Sequence, residues 1–214
     1  MVYKTGKRII FWDFVLRENY FSYSFNLIQI IKLGYIIKGV TSDRHGSLVS
    51  ALRSTLPSDI PHQHCLVHLQ RLCQSLLTKN PKTEAGKELL ELIRFLNKIN
   101  NHYEKNIWIK WFERLTKRHE DLIKQRTYGI NEQTGQNTWW YTHRNLRRTF
   151  RTIERSKDNL FLYLNYKRLP KDINGLEGEF SHLKTKLSIH RGLKKDRKAN
   201  FVKWYFYFKS IGKN

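Results

Sequence analysis

Apolar positions change their spacing along the chain, and each change marks an element. Arg8-Ile-Ile-Phe-Trp-Asp-Phe-Val15 is short, aromatic and β-branched, the composition of a strand. From Tyr20 to Leu33 apolar residues return at helical spacing and stop at Gly34, a residue that closes helices. Tyr35-Ile-Ile-Lys-Gly-Val40 predicts a second strand, ending at Thr41-Ser42-Asp43. A helix follows from about Gly46 to Leu56, closed by Pro57, and His64-Cys-Leu-Val67 reads as a further short strand. The order β-α-β-α-β is that of a sheet with helices packed on it.

After His68 the pattern turns helical. Segments are predicted at Leu69–Leu77, Thr83–Asn100 and His102–Gln125, then a loop over Tyr128–Asn137. Two more helices are predicted near Arg144–Arg155 and Asp158–Tyr166. Leu169 to Asn174 is a connector, followed by a helix carrying Glu177 and an aromatic one from about Ala199 to Ile211. The predicted fold class is an α/β core interrupted by roughly a hundred residues of helix, far longer than an ordinary connection. The boundaries are 1–68 for the first part of the core, 69–168 for an all-helical insertion and 169–214 for the C-terminal part.

Charge adds a partner to this picture. Forty Lys and Arg face eighteen Asp and Glu, a formal charge of +22, which calls for a polyanion. The excess is uneven: Trp139–Asn214 carries 19 basic and 6 acidic residues, which makes it the better candidate for touching phosphates. An aromatic content of 14% argues against a disordered basic tail and suits stacking on bases. Two cysteines, Cys65 and Cys73, do not make a secreted disulfide framework, so a reducing cytoplasm is expected. No apolar run reaches bilayer-spanning length, and no membrane partner is expected.

Two acids stand where chemistry could occur. Asp43 lies just past a buried-looking strand, at the end of the sheet where α/β proteins collect ligands. Glu177, 134 residues later, opens a basic helix continuing to Lys184, Lys186, His190 and Arg191. Two carboxylates are hard oxygen ligands suited to Mg²⁺ or Mn²⁺. Two such metals about 4 Å apart can clamp an in-line phosphoryl displacement. The plainer alternatives are local: Asp43 could cap the helix after it, and Asn174-x-x-Glu177 has the spacing of a capping box.

The order of motifs resembles the Mutator-like insertion-sequence transposases of bacteria. Trp12, Glu18, Gly34-Tyr35-Ile36 and Thr41-Ser42-Asp43 resemble that family's approach to its second catalytic aspartate. Gln63-His64-Cys65-Leu66-Val67-His68 resembles its Cys/Asp-x-x-His motif. Trp139-Trp140-Tyr141-Thr142-His143, Leu146 and Leu160-Phe161-x-Tyr163 resemble the end of its insertion. Asn174-Gly-Leu-Glu177-Gly178, Leu183-Lys184 and His190-Arg191-Gly192-Leu193 resemble its glutamate block. The resemblance implies a DDE transposase with an RNase H-like core, cutting and joining transposon-end and target DNA as a homo-oligomer, in the bacterial cytoplasm and nucleoid. It implies that Asp43 and Glu177 ligate the metal and that Cys65 and His68 form a structural motif. The insertion and C-terminal helices, with Lys184, Lys186, His190 and Arg191, would hold DNA.

Two departures qualify the match. Asp172-Ile173 stand where the family has threonines. The family's first aspartate lies on an opening strand upstream of the tryptophan matching Trp12, where this chain has no acid. Asp13, one strand too late, is the sole nearby substitute. The expectation is a core truncated at its N-terminus, poorly soluble alone. The alternatives are a non-catalytic DNA-binding remnant and a zinc-binding nucleic-acid module built on His62, His64, Cys65, His68 and Cys73.

Overall fold

Val2–Thr5 (β1) and Arg8–Trp12 (β2) pair antiparallel, Val2 opposite Trp12 and Thr5 opposite Arg8, with a slip of register at Tyr3/Lys4. Gly6 sits in the connection at φ +55°, a conformation that strains residues with a side chain. The predicted strand Arg8–Val15 thus ends at Trp12. The Met1 ammonium and carbonyl close the ladder on the Asp13 carbonyl and amide, at 2.7 and 3.0 Å. The structure, a computed structural model, describes residues 1–6 and 8–212. It divides into two compact units, Met1–Pro61 with Asp172–Asn214, and His62–Lys171.

In the first unit, Tyr20–Lys32 (α1) starts at Asn19, whose side chain accepts from the Ser22 amide at 2.9 Å. Tyr23, Leu27 and Ile30 fall on one face and are buried. Tyr23 and Leu27 pack against Ala51, Leu52 and Leu56, from Gly46–Thr55 (α2) and its C-cap. Between the helices lies a short strand, Val40–Ser42 (β3), rather than the predicted Tyr35–Val40. The chain leaves α1 through backbone bonds from Gly34 and Tyr35 back to Ile31 and Ile30, and Ile36 is exposed; only Val40 joins the strand.

A second cluster, Ile9, Leu183, Tyr205 and Phe206, unites the β1–β2 hairpin with Asn174–Ile189 (α8) and Lys195–Ile211 (α9). One carboxylate pins the same three elements. Glu179 of α8 takes Lys4 of β1 at 3.3 Å and Lys209 of α9 at 3.2 Å, and the Tyr205 hydroxyl donates to its carbonyl at 3.3 Å. Burial alone would push the Glu179 carboxyl up, but the hydrogen bonds and charges of Lys209 and Lys4 outweigh it and hold it below its ordinary value.

The second unit opens with a short strand, His62–His64 (β4). Leu66–Leu77 (α3), Glu84–Phe95 (α4), His102–Arg118 (α5), Glu120–Lys124 (α6) and Arg144–Glu154 (α7) surround one core. Trp108 sits at its centre, donating its indole N–H to the Leu92 carbonyl at 2.9 Å and stacked on Phe112. The predicted strand His64–Val67 gives way to helix after Cys65, whose carbonyl accepts the Leu69 amide. The predicted helix Asp158–Tyr166 is instead two 3₁₀ turns, Lys157–Asn159 and Leu162–Leu164. The buried Gln63 amide explains this, donating to the Leu160 carbonyl at 2.8 Å and accepting from the Tyr163 amide at 3.2 Å. A helix would have used those groups internally.

The expectation of an all-helical segment over 69–168 is corrected by a hairpin. Arg126–Ile130 (β5) pairs antiparallel with Asn137–Tyr141 (β6) where a loop was predicted. Asn131 makes the turn, its side chain accepting from the Gln133 and Thr134 amides, and Gly135 follows at φ +68°. Thr, Tyr and Trp at the paired positions favour the extended form.

Glu179→Gln should lower stability by about 2 kcal/mol, the worth of a charged hydrogen bond. Because the native pKa is depressed, the wild-type advantage should be full above the ordinary carboxylate range and vanish as pH falls through the native value. Thermal melts of both proteins across acid pH would show whether the two curves converge.

Candidate active site

Asp43 follows the last residue of β3 directly. Its backbone carbonyl accepts the Ser42 hydroxyl at 2.7 Å, and its Oδ1 accepts the His45 amide at 3.3 Å. That makes an Asx turn, not a helix cap: His45 is the N-cap of α2 and makes no side-chain capping bond. Asp43 is half-buried, between β3 and the start of α2 in the chain. Its field reaches inward, since the buried Tyr23 hydroxyl is pushed far above the phenol range, first by burial and then by the charges of Glu18 and Asp43. The Tyr23 ring also stands 5.8 Å from that of His45.

Glu177 lies in the first turn of α8, half-buried. The capping-box alternative is not what forms. Ile173, rather than Asn174, is the N-cap, and the Asn174 amide donates to Asp172 Oδ1 at 2.9 Å. Asp172, the departure from the family's threonines, therefore secures the first turn by the same device a threonine would supply. Glu177 and Glu179 differ by about 200° around the helix, so they face opposite ways. Glu179 is the residue that sequence reasoning passed over, and its paired lysines give it a structural task. The spacing of two was the available signal that only one of them could face a site with Asp43.

Asp43 and Glu177 are brought into the same unit although 134 residues separate them, the second unit lying between them in sequence. The four basic residues do not share one face. Lys184 falls within about 20° of Glu177 on the wheel, whereas Lys186 falls about 180° away. Lys186 lines a cleft with Phe201, Trp204, Tyr205, Phe208 and Lys209. The His190 ring stands 5.6 Å from Phe201, and Arg191 is exposed just beyond α8.

Cys65 and His68 form a close pair, Sγ to Nδ1 3.2 Å, at the start of α3. Cys65 is buried as N-cap, and Cys73 is buried further along the same helix. Among the described residues no group of three or more His, Cys, Asp or Glu gathers in a way that could hold a metal ion. His62, His64, Cys65, His68 and Cys73 therefore do not gather into one such group, and neither do Asp13, Asp43 and Glu177.

A model of the transposase IS66 family matches residues 40–199, a span that contains Asp43, Cys65, His68 and Glu177 and runs through Arg191. The chain belongs to that family. It is an insertion-sequence transposase family, as the order of motifs implied, but the match does not carry the Mutator-like type. No curated protein and no solved structure matches the chain significantly. Among the described residues no helix of this IS66-family chain is long and apolar enough to cross a membrane.

Asp172→Ala should cost about 1 kcal/mol and raise amide exchange in residues 174–177. A chelator should leave the melting temperature unmoved; a large drop would restore the zinc module.

Proposed function

We propose that this chain is the catalytic part of a DNA transposase, with Asp43 and Glu177 as ligands of Mg²⁺ or Mn²⁺. What supports this most is that both acids lie inside the family match and in one unit, and that neither is spent on a helix cap. The donor set is chemically suited: half-buried carboxylates at a strand end and a helix start are hard oxygen donors. Bound there, divalent metal would supply Lewis-acid polarisation of the phosphate and of the attacking oxygen. The chain's own part is to hold the two carboxylates. The Asx turn fixes Asp43, and the Glu179 clamp and Asp172 fix the helix that carries Glu177. Lys184, on the same face as Glu177, and the exposed Arg191 would meet the phosphate backbone.

On this reading the first unit is an RNase H-like core, with Asp43 at the end of β3 and the second unit inserted before α8. Transposon ends and target DNA are its partners, engaged by a homo-oligomer. The Mutator-like likeness rests on the motif order alone and implies the same chemistry.

The absence of a three-acid cluster among the described residues favours a second reading, DNA binding without cleavage. Nicking of a transposon-end duplex distinguishes them. The enzyme reading expects Mn²⁺-dependent nicking that disappears in Glu177→Ala while duplex binding persists. Binding alone, with log affinity falling by about 0.9 per phosphate contacted for each decade of salt, would establish the second.

A further inference from the structure

The β5–β6 hairpin carries side chains the catalytic reading does not use. Its register sets Arg126 opposite Tyr141 and Tyr128 opposite Trp139, so these four share one face. Trp140, opposite Thr127, lies on the other face, over Gly129. The Arg126 guanidinium stands 4.0 Å from the Trp139 ring centre, and Arg147 of α7 stands 3.7 Å from that of Tyr141. Trp139 and Tyr141 meet edge to face at 5.3 Å. Arginines thus brace Trp139 and Tyr141, yet Trp139 remains 46% exposed, and Tyr128 on the same face is 72% exposed.

Aromatic surface held open in this way marks a binding face. Its charge selects the partner. Helix α7 packs on β6, its Arg144, Arg148 and Arg151 are exposed, and Glu132 is the sole acid between Arg126 and Arg151. Rings offered to solvent among arginines suit nucleic acid whose bases are unstacked, since duplex bases already cover one another's faces.

We propose that this face is a stacking platform for unpaired bases of a DNA strand, with Trp139 and Tyr128 as the stacking rings and the α7 arginines as phosphate contacts. The proposal rests on DNA being the partner, and it assigns the hairpin a different strand state from the duplex contacts of α8.

Binding of the full chain to an oligodeoxythymidylate and to a duplex of equal length, each followed by anisotropy, tests it. Trp139→Ala should weaken thymidylate binding about tenfold and leave duplex binding within about twofold, while Trp139→Phe should recover most of the loss. Trp140→Ala should change neither. Should Trp139→Ala fail to fold, Tyr128→Ala, at a more exposed position, should show the same selective loss in smaller measure. Equal thymidylate affinity in folded Trp139→Ala and wild type would overturn the platform while leaving the transposase reading intact. So would loss of self-association in Trp139→Ala without loss of thymidylate binding, which would make the face a contact between copies. A wild-type chain that binds neither DNA would remove both readings.

Discussion

The first unit depends on how Glu179 is held. The hairpin at residues 2–12 and the two helices after residue 172 come from distant parts of the chain, and their apolar faces and this one carboxylate join all three. The apolar cluster supplies attraction without direction. The ion pairs supply direction, because a partly buried carboxylate between two lysines tolerates little displacement before its desolvation goes uncompensated. Rotation of α8 about its axis is thereby set, and with it the face on which Glu177 stands. A structural glutamate thus positions the one proposed for catalysis.

Much of this arrangement was legible in the residues. The α1 and α2 helices follow from apolar spacing with Asn19, Gly34 and Pro57 as punctuation, and the glutamate block does open a helix. The failures share a cause. Helix and strand periodicity describe a segment's own preference, whereas Gln63 overrides that preference at Leu160 and Tyr163 from about a hundred residues away. The β5–β6 hairpin was hidden because its turn, Asn131 to Gln136, reads as a loop, and the strands around it are five residues each. At the candidate site the acids were found by resemblance. The roles of Asp172 and Glu179 needed the helix register, since nothing in their spacing says which carboxylate will meet a lysine from residue 4.

On the proposed reading the two units would divide the chemistry of DNA handling between them. Asp43, Glu177 and Lys184 lie in the first, where carboxylates and phosphate-seeking cations belong together. Exposed rings stiffened by arginine lie in the second, where the task proposed is to seat bases. The Cys65–His68 pair at the head of α3 belongs to the framework of that second unit, with its thiol buried under the helix start rather than offered to solvent.

Because the first unit is discontinuous, its order of synthesis matters. Residues 62–171 must emerge from the ribosome before Asp172–Asn214 can meet the hairpin, a delay on the order of ten seconds at ordinary elongation rates. During that interval Ile9, Val2 and Trp12 have no α8 or α9 to cover them, while the second unit already holds every residue of its own core. The nascent chain would therefore present a sticky aromatic hairpin ahead of a finished helical body, a vulnerable period that invites chaperone binding and lasts until α9 is released.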